Sequence, residues 1–221
     1  MLNSSAEHII LGQTLLLLPQ KAIYWKEQKT LIIADLHFGK AAHFRKSGIA
    51  IPNGNINSDI NLLTKLVKNH QPECLIFLGD LFHSDFNNEW NLFADWRIEH
   101  ENLKIILVKG NHDIIPDKFY TSINIQIIHE ELIISPFEFT HHPLTKAEDI
   151  LNNKYYRISG HVHPGVRLSG KGRQTTKLPC YFFGEKQAIL PAFGSFTGNF
   201  MIKPKETDQV FCIVKEQIMV M

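Results

Sequence analysis

Five short apolar runs in this chain each end in a cluster of aspartate, histidine or asparagine, and that repetition constrains the fold more than any other feature. Leu31 to Ala34 runs into Asp35-Leu36-His37, and Leu75 to Leu78 runs into Gly79-Asp80-Leu81-Phe82-His83. Ile105 to Val108 leads to Gly110-Asn111-His112-Asp113, Phe137 to Phe139 leads to Thr140-His141-His142-Pro143, and Ile158 leads to Gly160-His161-Val162-His163-Pro164. Short apolar runs bounded by turn residues read as buried strands. In an α/β sheet the residues just past the carboxyl ends of parallel strands converge on one edge, so the polar clusters are expected to meet.

The pattern between these runs supports that reading. Apolar segments at Ile9 to Leu11, Thr14 to Leu18, Ala22 to Trp25 and Thr30 to Ala34 predict an antiparallel meander entering a central strand. Ile60, Leu63, Leu66 and Val67 recur at helical spacing within 57–70, and Pro72 closes that segment. A strand over 73–78, a helix over 88–101 carrying Trp90, Phe93 and Trp96, and a strand over 103–108 complete a β-α-β-α-β series. Such a series predicts neighbouring, mainly parallel strands flanked by helices. Further strands are expected at 123–128, 132–135, 137–141, 156–159, 181–183 and 210–214, with surface loops at 164–172 and 191–198. The expected fold class is α/β, with two stacked central β-sheets flanked by helices in one domain spanning 1–221.

Composition excludes several alternatives. With 23 basic against 22 acidic residues the formal charge is +1, so the chain as a whole is no polyanion binder, although a local basic patch can still hold nucleic acid. Cys74, Cys180 and Cys212 show no Cys-x-x-Cys spacing, which argues against a disulfide framework or thiolate zinc site and fits a reducing cytoplasm. Pro19 and Gln20 end the Leu15 to Leu18 run, which reads as a buried strand rather than a membrane span or secretion signal, and no membrane partner is expected. Ser195 in Gly194-Ser195-Phe196 lacks a nucleophile-elbow pattern, and no Gly-x-x-x-x-Gly-Lys loop is present.

Carboxylate, imidazole and carboxamide groups converging on one edge make a nitrogen- and oxygen-rich site suited to Mn, Fe or Zn. Asp80, at the end of a central strand, is the natural bridging carboxylate; Asp35 and His37 could serve one ion and Asn111 another. Two ions about 3.5 to 4 Å apart bind phosphoryl oxygens and offset the charge that grows during hydrolysis. Each cluster alone has a plain alternative as a turn acid, a capping residue or a solvated histidine. Their order, each after an apolar strand, favours phosphate-ester cleavage.

These blocks resemble the calcineurin-like metallophosphoesterase superfamily: Asp35-x-His37, Gly79-Asp80, Gly110-Asn111-His112-Asp113, a late histidine at His141, and Gly160-His161-x-His163. The resemblance implies a four-layer sandwich and two divalent ions, most readily Mn2+ with Fe or Zn as alternatives. It assigns Asp35, His37, Asp80 and His163 to one ion, and Asp80, Asn111, His141 and His161 to the other. His112 becomes the catalytic histidine that contacts phosphate and protonates the leaving oxygen, with Asp113 orienting it. Many relatives have Gly-His where this chain has Thr140-His141-His142, which makes His142 a competitor for His141.

The run from Ala34 to Lys40, followed by Phe44-Arg45 and Ile51-Pro52, is similar to the bacterial ligase-associated DNA damage response metallophosphoesterases, which are described as endonucleases. That similarity implies DNA as substrate, a repair role, and a DNA ligase and helicase as partners. Arg167, Lys171, Arg173 and Lys177 lie in 165–184, a stretch without Asp or Glu but with Gly170 and Gly172, and with Arg45 they are candidate phosphate-backbone contacts. Lys40 and Lys46 add charge, while His43 and His83 are candidate supporting histidines. Two rival readings stay open: a phosphodiesterase or pyrophosphatase for nucleotides or other small molecules, and a non-catalytic scaffold that retains the fold.

Overall fold

The computed structural model describes residues 2–40, 56–83, 88–145, 153–170, 175–195 and 197–221. Among these, the strands form two sheets. The first contains β2 (Ala6–Ile10), β3 (Gln13–Leu18), β4 (Ala22–Trp25), β5 (Thr30–Ile33), β6 (Cys74–Leu78), β7 (Lys104–Val108) and β8 (Ile125–Ile128), in that spatial order. Strands β2 to β5 are the predicted antiparallel meander, and β5 to β8 run parallel. Helix α1 (Ile56–His70) joins β5 to β6, and α2 (Asn88–Glu99) lies between β6 and β7. A short helix absent from the sequence reading, α3 (Asp117–Ser122), precedes β8.

The second sheet runs β1 (Leu2–Asn3), β17 (Gln217–Val220), β16 (Gln209–Val214), β13 (Thr175–Phe183), β14 (Gln187–Ile189), β11 (Tyr156–Ser159), β10 (Phe137–Thr140) and β9 (Glu131–Ile134). Two further strands, β12 (Pro164–Ser169) and β15 (Phe200–Met201), pair with each other, and β12 also pairs with β13. The expected loop at 164–172 is therefore corrected over 164–169, which is strand. Its physical cause is that beyond Val166 the ribbon of β12 and the first half of β13 is largely solvated, so Thr175, Thr176 and Lys177 show none of the apolar alternation that marks a core strand.

Burial explains the stacking. The inner faces meet in one cluster containing Leu15, Ile32, Ile76 and Ile106 from the first sheet and Phe137, Phe139, Ile158 and Tyr181 from the second. Strands β5, β6 and β7 are apolar on both faces because their other side carries Leu31, Leu75, Phe77 and Leu107 against Leu63, Trp90, Phe93 and Tyr120 of the three helices. A third cluster, Val166, Cys180, Val210 and Cys212, covers the outer face of the second sheet. The Tyr181 hydroxyl stands 2.7 Å from the Leu18 carbonyl and 2.9 Å from that of Ala22, pinning the second sheet to the turn between β3 and β4. Among the described residues no helix is long and apolar enough to cross a membrane.

Candidate metal centre

The polar clusters meet at the edge where β5, β6, β7, β10 and β11 end. Backbone hydrogen bonds interlock their loops: Asp35 donates to Gly79, His37 to Asp80, Gly160 to His141, and Gly194 to Asp35. Space at this junction is so limited that a Cβ on Gly79 would lie 2.2 Å from His141 Nδ1, and one on Gly110 would lie 2.3 Å from Asp80 Oδ1. Glycine is required at both for close approach, and at Gly79 also because φ is +77°.

Five candidate ligands hold left-handed backbone conformations that side chains other than glycine rarely adopt: Asp35 (φ 53°), His37 (47°), Asp80 (50°), His161 (67°) and His163 (54°). Each such residue costs of order 1–3 kcal/mol, and such strain concentrates at functional sites because surrounding structure must enforce it. The sequence carried no sign of this strain, because Asp and His give no glycine signature.

Asp35, His37 and His163 form one group, with Asp35 Oδ1 3.3 Å from His163 Nε2 and His37 Nε2 3.7 Å from Asp80 Oδ2. Asp35 is wholly buried; its Oδ2 accepts from the His161 backbone N–H at 2.8 Å. The other oxygen, both ring nitrogens of His37 and Nε2 of His163 are buried without hydrogen-bond partners. Buried polar atoms without partners are rare in folded proteins, and one ligand atom each from Asp35, His37 and His163, all within 4.8 Å of one another, fits a cation. Burial, followed by the charges of Lys40 and neighbouring histidines, lowers the His37 pKa to about 2, leaving a neutral imidazole with a lone pair to offer.

A second group surrounds His141. Its Nδ1 lies 2.9 Å from the Leu78 carbonyl, which fixes the proton on Nδ1 and turns Nε2 outward as an acceptor. That Nε2 lies 3.1 Å from Asn111 Oδ1, 3.1 Å from His161 Nδ1 and 3.5 Å from Asp80 Oδ1. Acceptors this close repel unless a cation or proton stands among them, so these residues fit a divalent ion. Burial lowers the His141 pKa to about 4 and depresses that of His161 as well. Asp80 faces both groups, Oδ2 toward His37 and Oδ1 toward His141, while Oδ1 also accepts from the His112 backbone N–H at 2.9 Å.

Of the two adjacent histidines, His141 is buried at the centre of this group, whereas His142 is exposed with its ring 4.3 Å from that of His161. His112 is exposed at the mouth, its ring 5.6 Å from His37 and 5.3 Å from His83. Asp113 is placed differently from the expectation that it orients His112. Its carboxylate accepts the backbone N–H groups of Leu81 (2.9 Å), Phe82 (3.4 Å) and Gly110 (2.8 Å), stapling the β6 loop to the β7 loop. Burial raises the Asp113 pKa to about 7 even though those donors pull it down.

Other expected residues fall farther out. Arg167 and Lys177 are exposed on β12 and β13. Lys40 is half-buried, its ammonium facing the charges of Asp80 and Asp35. Arg45, Lys46, His43, Lys171 and Arg173 lie outside the described residues. Ser195 donates a hydrogen bond to buried Asp59 on α1, which makes it a brace for the β5 side of the edge. Sequence reasoning missed the Phe200 N–H, which donates to His163 at 2.9 Å from a two-residue strand too short to leave a pattern.

Residues 28–181 match the family model described as calcineurin-like phosphoesterase. Among solved structures, the crystal structure of nuclease MPE from Pseudomonas putida is 31% identical with a TM-score of 0.81, covering 98% of this chain and 100% of that one. A phosphoesterase from Escherichia coli, YfcE, is 14% identical with a TM-score of 0.44, covering 84% of this chain and 88% of that one. A protein of unknown function from Aquifex aeolicus is 24% identical with a TM-score of 0.44, covering 65% and 82%. A search of curated protein sequences returned no match.

Proposed function

The chain belongs to the calcineurin-like phosphoesterase family, and on that premise we propose that it is a nuclease hydrolysing phosphodiester bonds in DNA with two divalent metal ions at the sheet edge. The observation that carries the reading is Asp80, whose two carboxylate oxygens face two groups of nitrogen and oxygen donors, Oδ2 toward His37 and Oδ1 toward His141. Asp35, His37, Asp80 and His163 would hold one ion; Asp80, Asn111, His141 and His161 would hold the other. Donors limited to nitrogen and oxygen suit Mn2+ and equally admit Fe or Zn. When bound, such ions bind phosphoryl oxygens, make water a better nucleophile and offset developing charge.

The protein's own groups do the rest. Interlocked loops keep the seven candidate ligands from relaxing, so little reorganisation is left for the reaction itself. His112, exposed at the mouth and tethered through its N–H to Asp80, is placed to donate a proton to the departing oxygen. Asp113 holds the two loops that carry Asp80 and Asn111 and is a positioning residue. Lys40 adds positive charge beside both carboxylates, where a phosphate would be attracted.

DNA as the substrate is supported by full-length similarity to a protein named as a nuclease and by exposed cations beyond the centre. A repair role with a DNA ligase and helicase rests on the resemblance of the Ala34 to Lys40 block, and co-purification with those enzymes is its test. Three free cysteines accord with a cytoplasmic location. The single domain over 1–221 is supported by the core shared between the two sheets.

The deciding experiment compares wild type and Asp80→Asn in Mn2+ on bis-p-nitrophenyl phosphate, single-stranded DNA, duplex DNA and cyclic nucleotides. Metal-dependent DNA cleavage lost in the variant, with the folded state retained, is the expected result. Turnover of the small diester without DNA cleavage would move the assignment to a small-molecule phosphodiesterase. Wild-type activity in Asp80→Asn would remove the bridging role.

A further inference from the structure

Strand β12 leaves the metal loop immediately after His163 and pairs antiparallel with β13, from Gly165 opposite Pro179 to Ser169 opposite Thr175. In that register Arg167 stands directly opposite Lys177, and both are exposed. Opposed side chains on paired strands have Cβ atoms about 4.5–5.5 Å apart, where two like charges destabilise the pair. Among the described residues neither cation enters a salt bridge. The flanking pairs, Gly165 with Pro179 and Ser169 with Thr175, bring no acid. The ribbon thus presents two adjacent exposed cations with no paired acid among the described residues, an arrangement that a bound anion would stabilise.

Strand alternation fixes where these cations point. Lys177 lies four residues from Tyr181 and shares its face. Tyr181 reaches the Leu18 and Ala22 carbonyls of the first sheet, and Ala22 is registered with Ile33 at the carboxyl end of β5. The face bearing Arg167 and Lys177 is therefore the inner one, continued past the edge that holds Asp35 and His37. Arg167 is four residues beyond His163, roughly 13 Å along a strand. The cavity of about 310 Å³ beside His141 and His142 offers no such selection, since Lys109 there is paired with Asp117 and Arg157 with Glu138.

We infer that the Arg167 and Lys177 pair is a remote clamp for one phosphate of a polynucleotide strand whose scissile phosphate lies at the metal centre. The inference rests on the phosphodiesterase reading and deepens it. The substrate must be long enough to span both points, so mononucleotides and small diesters use the centre alone. Arg167 and Lys177 are positioning residues.

The test uses the full chain with Arg167→Ala, Lys177→Ala and the double variant in Mn2+. Each is assayed on bis-p-nitrophenyl phosphate and on single-stranded DNA ranging from dinucleotides to long oligomers. Oligomer binding is measured by anisotropy between about 50 and about 200 mM salt. The double variant is expected to keep small-diester turnover within about twofold and lose about tenfold or more in kcat/KM on long oligomers, through KM. Its salt slope for binding should become shallower by about one per cation removed. The wild-type gain in kcat/KM with oligomer length should flatten. Unchanged length and salt dependence would overturn the clamp, as would equal loss on the small diester and the long oligomer. If wild type turns over no diester, yet the double variant still loses salt-dependent oligomer binding, the hydrolytic reading fails while the clamp stands.

Discussion

Gly160→Ala tests whether the position of Asp35 governs the reaction. Gly160 has no positive φ, so alanine brings no backbone strain and the perturbation is the added methyl alone. Its Cβ would lie 2.4 Å from Asp35 Oδ2 and 2.7 Å from the Ala34 Cβ, where ordinary contacts begin near 3.4 Å. Relief demands a movement of about 1 Å by a fully buried, short side chain that is already held by the His161 N–H. Overpacking of this kind costs about 1–3 kcal/mol, a fall of roughly 2–12 °C in melting temperature for a chain of this size. A displacement of about 1 Å in a catalytic array costs about 100-fold in rate. The assay is thermal melting beside Mn2+-dependent hydrolysis of bis-p-nitrophenyl phosphate, with Gly198→Ala as control because nothing lies within 4 Å of its added Cβ. The expected result is a modest loss of stability with a disproportionate loss of turnover. Turnover within about threefold of wild type, with melting lowered or not, would refute the reasoning.

Other consequences follow from single contacts. His141→Ala should abolish metal-dependent turnover and reduce bound Mn2+ by elemental analysis, whereas His142→Ala should leave both within a few fold; the reverse ranking would reassign the ligand. Tyr181→Phe leaves the Leu18 and Ala22 carbonyls without their buried donor and should cost about 1–3 kcal/mol in urea unfolding, with kcat on the small diester unchanged. His8 packs its ring against Phe183 at 4.2 Å, and burial depresses its pKa below 6.5. Because the folded state disfavours the protonated ring, its stabilising contribution is present above the unfolded value of 6.5 and is lost as pH falls below it through the lowered folded value. His8→Phe should make stability less dependent on pH between about 7.5 and about 5.5; parallel profiles for the two proteins would exclude this role.

The central strands and the convergence of their ends were legible because continuous apolar runs closed by Asp, His or Asn carry both signals in the same few residues. Helices α1 and α2 were visible through Leu63, Leu66, Trp90 and Phe93, all of which pack on the first sheet. Three things were not legible. The far part of the β12 and β13 ribbon is solvated and only Val166, Leu178 and Cys180 mark its covered face, so the apolar alternation is too short to read and its Gly and Pro residues imitate a loop. The left-handed conformations of Asp35, His37, Asp80, His161 and His163 are imposed by long-range hydrogen bonds such as that from His161 to Asp35, which no local pattern encodes. The inward placement of His141, set by the Leu78 carbonyl 63 residues away in sequence, is likewise not encoded locally. Asp113 was found by its motif, but its partners lie on the neighbouring loop, so its role could be read only in three dimensions.

The origin of the seven candidate ligands has a bearing on when this chain can act. Asp35, His37, Asp80 and Asn111 come from the first sheet's loops, and His141, His161 and His163 from those of the second. Neither half holds a complete coordination set, so a chain still emerging from synthesis, or one whose two layers have parted, has lost the centre before it has lost its strands. Under the proposed nuclease reading, cutting power would arrive with the last docking step and disappear once the two layers part.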